Sequence, residues 1–191
     1  MLRISIILAV VLSIGCACGV HAQDAGVRAR ELAASLDKTK YKKKEKRDIS
    51  IEFYIDIRNE AATRSDVAGF SGVYLSDGYK IDLKVSPDGK AVANGYDSPM
   101  GGNGKVVNFE LRDGRVDGAV LTGVKVYDNG ETRKFEGVFV NRTVSTGKNK
   151  DNIDTQKTAF GLGFVEDGTV IAGDNDSNSQ TWTNRVFMER K

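Results

Sequence analysis

Cysteine and histidine are almost missing from this chain. The two cysteines and the single histidine, Cys16, Cys18 and His21, all fall in the first 22 residues. That stretch has the pattern of a secretory signal. Met1-Leu2-Arg3 supplies one positive charge, Ile4 to Val20 is an apolar run, and "VHA" places Val20 and Ala22 just before a cut at Ala22/Gln23. The run is about 17 residues, at the low edge of what spans a bilayer, so cleavage is expected rather than an uncleaved anchor. "LSIGC" is an imperfect lipoprotein box, with Ser13 where an apolar residue is usual, and a lipid anchor on Cys16 is the minor alternative. The expected destination is the periplasm or the outside.

With those residues gone, the chain from 23 onward has neither cysteine nor histidine. It can build no disulfide, no Ser-His-Asp triad, no Cys-His pair and no zinc site of the usual nitrogen and sulfur ligands. A non-catalytic protein without cofactors is the expectation. A hydrolase built on paired carboxylates is the third reading, since 26 acidic residues are present and none of them stands out as a pair.

Long helical patterns are also lacking after residue 37, which argues against a parallel α/β sheet. "AGVRARELAASLD", residues 25–37, is the one short helix expected. A strong net charge is absent too, the whole chain carrying +2. Only the opening is distinctly basic: residues 23–65 hold 11 basic and 8 acidic groups, against 16 and 18 beyond.

That basic opening contains "KTKYKKKEKRDISIEFYIDIR", residues 38–58. Ile49, Ile51, Phe53, Ile55 and Ile57 recur at a period of two, which puts five large apolar groups on one face of an extended chain. A strand over Asp48–Arg58 follows, with the lysine-rich part as a solvent-facing run-in that discourages edge pairing. Nucleic-acid binding is not expected, because only Tyr41 interleaves the lysines and export removes the chain from most nucleic acid. An anionic membrane surface is a somewhat better match.

From Asp66 the chain reads as strands joined by turns. "GFSGVYLS", "YKIDLKV", "AVANGYD", two strands around Asp113-Gly114, "RKFEGVFVNRTV", "TAFGLGFV" after a polar 13-residue loop, and "TWTNRVFMERK" make eight. "TVIAG", after a turn at Asp167-Gly168, is a ninth. The domain boundaries are 1–22 signal, 23–47 helix and lysine-rich extension, and 48–191 an antiparallel meander. Such meanders hide their edges by closing, so an all-β, up-and-down barrel is predicted, with a two-sheet sandwich as runner-up. "FSGVY", Phe70 to Tyr74, in a first strand of an exported meander resembles lipocalins and avidin-like barrels in architecture. The resemblance implies a barrel and carries no site residue across.

In "AFGLGFV" Phe160, Leu162 and Phe164 share one face, and Ala159, Gly161 and Gly163 the other; "FEGVFVN" alternates Phe135, Gly137 and Phe139. Small residues on a strand face leave room for a ligand inside a barrel or let a neighbouring element pack closely, the commoner use. The leading functional expectation is binding of a small apolar or amphipathic molecule, with Tyr74, Tyr96, Phe139, Phe160 and Trp182 as lining residues, and Tyr79 beside them. The alternative is an envelope interaction module or inhibitor, docking through loops 97–104 and 144–156 or through the basic segment. "GNGKVV" fails as a phosphate loop at Pro99 and Val106. Asp174, Asp176 and Asn178 alternate like the start of a calcium loop, but Ser179 and Arg185 stand where Gly and Glu belong, leaving a weak metal candidate.

Overall fold

The computed structural model describes residues 17–46, 49–98, 106–171 and 179–191. Helix α1 (Ala17–Ser35) is followed by β1 (Lys38–Lys46), β2 (Ile49–Ala61) and a 3₁₀ turn (Val67–Phe70). Eight strands complete the chain: β3 (Gly72–Ser76), β4 (Tyr79–Val85), β5 (Lys90–Asp97), β6 (Val107–Asp117), β7 (Val120–Tyr127), β8 (Thr132–Asn149), β9 (Asn152–Ile171) and β10 (Ser179–Arg190).

β3 to β8 pair antiparallel in chain order, β10 pairs with both β3 and β9, and β9 returns to β8. That closes an eight-stranded up-and-down barrel, the leading architecture read from the sequence. Alternation sets its two faces. In β4, Tyr79, Ile81, Leu83 and Val85 are buried inward, while Asp82 and Lys84 are exposed. Lys90, Glu110 and Arg112 likewise face water from β5 and β6. An apolar inside and a charged outside is the reverse of a lipid-spanning barrel. Among the described residues no helix is long and apolar enough to cross a membrane.

Several boundaries differ from expectation, that of α1 among them, which spans Ala17–Ser35 against the expected 25–37. The lysine-rich stretch is not a run-in but a strand, β1, paired along its length with β2 from Lys38↔Ile57 to Lys46↔Ile49. β2 has two edges to satisfy; β8 takes one and β1 the other. The chain does not turn at Asp113-Gly114. β6 runs through with a bulge there, Asp113 having φ 52°, and the turn falls at Gly118, φ 56°. Asp-Gly supplies the backbone that either a hairpin or a bulge needs, so the dipeptide alone does not choose. Asp167-Gly168 is also no turn, because β10 offers both residues ladder partners, Thr183 and Trp182. Finally, the expected loop after "RKFEGVFVNRTV" is the far end of a long β8–β9 hairpin. Thr143–Thr158 and Thr146–Thr155 face each other across it, their hydroxyls 3.3 and 2.6 Å apart.

Beyond Val140, β8 leaves β7, and β2 takes over that edge from Ala61↔Val140 to Tyr54↔Gly147. β1, β2 and the outer halves of β8 and β9 therefore form a four-stranded flap continuous with the barrel wall. Helix α1 packs outside the wall, with Ala29, Ala33 and Leu36 buried. Its docking depends on the small face of β9. A Cβ at Gly163 would sit 2.2 Å from Leu36 Cδ1, and one at Gly161 would meet the Phe187 ring at 2.7 Å. The glycines of "AFGLGFV" thus face outward, Gly163 against Leu36 at the end of α1 and Gly161 against Phe187 of β10. Ala29, Ala33 and Leu36 lie beyond the expected cut at 22/23, so cleavage there would spare their packing.

Candidate functional site

The two ends of the barrel are built differently. At one, the 3₁₀ turn inserts Phe70 as a plug. Phe70 stacks on Phe139 at 4.1 Å between centroids, Phe160 lies at 6.3 Å, and the Tyr74 hydroxyl donates to the Phe70 carbonyl at 2.6 Å. Arg190 ties the plug down by donating to the carbonyls of Gly69 and Ser71, at 3.1 and 2.6 Å. Burial pushes the Tyr74 phenol up to about 12.

At the other end the interior turns polar. Lys125, 3% exposed, donates to Asp97 Oδ2 at 2.7 Å, and the Tyr127 hydroxyl donates to the same oxygen at 2.7 Å. The ammonium lies 4.5, 4.7 and 5.0 Å from the ring centroids of Phe109, Phe135 and Phe164, so three aromatic faces help to replace its lost hydration. Burial still pushes the Lys125 ammonium below its ordinary value, against the pull of Asp97. Beside it, the Tyr79 hydroxyl donates to Glu166 at 2.8 Å and accepts from the Asn184 amide at 3.3 Å. Burial first, and then their carboxylate partners, raise the phenols of Tyr79 and Tyr127. Asp97 Oδ1 is buried and has no hydrogen-bond partner. Two carboxylates, Asp97 and Glu166, thus share this end, with Asp97 already tied to a cation and a phenol.

Of the expected lining residues, Tyr74, Phe139 and Phe160 meet at the plugged end, and Tyr96 stands apart from them. Tyr74 and Phe139 are wholly buried in the plugged end, and Phe160 is half-buried at its margin. Tyr96 lies on the other face of β5 from Asp97, half-buried between Lys80 and Asn108 in the ladder. Trp182 pairs with Gly168 in the β9–β10 ladder. Even the inward Gly137 leaves no room, since a Cβ there would meet Leu162 Cδ1 and Phe135 Cζ at 3.1 Å. Of the docking loops, 144–156 is strand and tight turn, and 99–105 lies outside the described residues, as do Asp174, Asp176 and Asn178, the weak metal candidate. Among the described residues no group of three or more acidic, Cys or His side chains could hold a metal.

Sequence reasoning missed Lys125 and Asp97. The signal was parity: Lys125 alternates with Leu121, Gly123 and Tyr127, and Asp97 with Ala91, Ala93 and Gly95, all on inward positions.

Two further features lie on the surface of the described residues. An open cleft of ≈ 530 Å³ lies between α1 and the chain leaving β2, lined by Ala29, Ala33, Ala61 and Ala62 with Arg30 and Arg64. The flap is anchored to the barrel by a polar knot: the Asn59 backbone and side-chain N–H groups donate to Asp37 Oδ1 at 2.8 and 3.0 Å, and Arg142 Nε donates to Asn59 Oδ1 at 2.8 Å. Arg142 lies 3.9 Å over the Phe187 ring, and burial pushes its guanidinium down to about 10. Beyond this knot the flap is open, with Phe53 42% exposed and Ile55, Ile57 and Val144 half-buried. No family model, no curated protein and no solved structure matches the chain.

Proposed function

We propose that this chain is an exported, non-catalytic β-barrel that works as an interaction module, with the flap rather than the barrel interior as its working surface. One observation carries the reading. Among the described residues the inward side chains of the barrel are buried from the Phe70 plug to the Lys125 cluster, while in the alternating row of β2 Phe53 stays 42% exposed and Ile55 and Ile57 are half-buried. A packed interior favours a scaffold role, and an exposed apolar patch rimmed by charge favours contact with something else. A photo-crosslinking residue at position 42 on β1 should capture a neighbour, protein or lipid, in the native export compartment. The same probe at position 84, on the outer face of β4, should capture far less. Equal capture from both positions would end the proposal.

A second reading keeps a small ligand at the polar barrel end, favoured by the unpartnered Asp97 Oδ1. A molecule bringing one hydrogen-bond donor would satisfy that oxygen. Native and denaturing mass spectra of gently purified protein decide it. Extra mass lost on denaturation, and absent from Asp97→Asn, would support it; a bare chain mass would remove it.

A further inference from the structure

Cross-strand partners share a face of a sheet, so the β1–β2 register sorts the flap by chemistry. Lys38 pairs with Ile57, Lys40 with Ile55, and Lys42 with Phe53; Lys44 follows on the same side. β8 extends that face with Val144 opposite Ile57 and Thr146 opposite Ile55, and β9 adds Lys157 opposite Val144. The carboxylates Glu52 and Asp56 lie on the other face, opposite Lys43 and Thr39. Asp56 is engaged there by Thr39 at 2.5 Å and Arg58 at 2.9 Å. One face therefore carries a row of exposed lysines beside a row of aliphatic and aromatic side chains, with no carboxylate at the described positions of its β1 and β2 rows.

We propose that this face docks on an anionic lipid bilayer, the lysines over the headgroups and Phe53 with its isoleucine neighbours at the acyl boundary. The inference rests on reading the flap as the working surface and names its partner. Alternate residues of a strand stand about 7 Å apart, so Lys38 to Lys44 draw a line of charge about 20 Å long, enough to lie over several headgroups. The apolar row runs parallel to it at about 5 Å, and long lysine stems let the ammonium groups reach sideways while that row sits deeper. Each lysine near such a surface multiplies partition about fivefold. A nucleic acid would supply phosphates for the same lysines but asks for stacking platforms, and this face offers one ring, Phe53, among Ile55, Ile57 and Val144. Aliphatic side chains gain from a lipid boundary and little from a base. A strand added to the free edge of β1 is opposed by the lysines themselves.

The test uses the full chain and co-sedimentation with vesicles of phosphatidylcholine, with or without phosphatidylglycerol, at low and high salt. Binding should require phosphatidylglycerol and weaken with salt. Lys40→Glu with Lys42→Glu should lower partition at least about 25-fold, from about fivefold per lysine. These two exposed changes keep the edge charged, and an unchanged circular dichroism spectrum checks the fold. Phe53→Trp in a Trp182→Phe background should shift its emission to the blue on anionic vesicles. Equal binding to neutral vesicles with no effect of charge reversal would overturn the inference. So would an indole emission from the Phe53→Trp variant that does not move, or a single-stranded oligonucleotide that binds the chain more tightly than the vesicles do. Protein crosslinks from position 42 without vesicle binding would overturn the lipid partner and leave the interaction-module reading standing.

Discussion

The barrel and the flap are written in the same alphabet and end differently. Both alternate large apolar and polar residues at a period of two, in strands that are mutually continuous through β8 and β9. In the barrel, Phe139, Leu162 and Tyr74 are each 0% exposed; on the flap Phe53 is 42% exposed. The difference is closure. Eight strands wrap the inward rows against one another, whereas the flap is a single layer with two free edges, β1 and the outer half of β9. An alternating pattern specifies a face, and only topology decides whether that face meets a core, a partner or water.

The sharpest way to test the contrast is to truncate a ring in each region. Phe139→Ala removes the partner on which Phe70 stacks and should cost about 3–5 kcal/mol in urea unfolding, as large-to-small core changes do. A loss below about 1 kcal/mol would mean that the plugged end is loosely packed. Next in size comes the small face of β9. Gly163→Ala places a methyl group on Leu36 and should destabilise by about 1–3 kcal/mol. Because the clash lies with one side chain, Leu36→Ala should cost much less in the Gly163→Ala background than alone; strict additivity would place the strain elsewhere.

A smaller effect distinguishes the plug by pH. The Tyr74 phenol is raised in the folded chain to about 12, above the ordinary 10.0 of the unfolded one. A raised group contributes stability that is complete below pH 10 and is lost as pH climbs from 10 toward 12. Tyr74→Phe should cost about 1 kcal/mol at neutral pH, through the lost bond to the Phe70 carbonyl. It should also flatten the alkaline part of the stability curve. An alkaline limb as steep as that of the parent chain would assign it to Tyr79 and Tyr127 instead.

How much of this was legible depends on the scale of the signal. The barrel was, because strand alternation and Gly-rich turns are local. The turn at Asp128 to Glu131 follows from Asn129-Gly130, a pair that favours tight hairpins, and Tyr127 N–H bonds to the Glu131 carbonyl at 2.9 Å. The bulge at Asp113 was not, since a hairpin and a bulge ask for the same dipeptide. Nor was the fate of the small residues in "AFGLGFV", because one strand cannot say which of its faces is inside. For the candidate site the reading was poorer. The aromatic residues Tyr74 and Phe139 look the same as core and as cavity lining until their partner Phe70 is known to fill the space. The facing rows of lysine and isoleucine were hidden by another route: strand pairing requires a register, and "KTKYKKKEK" reads as solvated coil unless β2 is there to pair with it.

The smallest expected effect is the most informative about the flap. Phe53→Ser removes the largest exposed apolar side chain of β2 described on the lysine-bearing face. A core phenylalanine would be missed by several kcal/mol, but a ring that already meets water gives up little burial, and surface changes usually stay within about 0.5 kcal/mol. The urea midpoint should therefore hardly move. Serine is a weaker strand former than phenylalanine, which adds only a modest cost on a scale spanning about 1 kcal/mol. If the midpoint instead falls as far as it does for Phe139→Ala, Phe53 is packed in solution, and the flap is covered by another part of the chain or by a second copy. Concentration dependence separates these two, because a second copy makes the midpoint rise with protein concentration and a self-covered flap does not. An unmoved midpoint means that Phe53 adds little to the fold, which leaves the ring available for the contact proposed above.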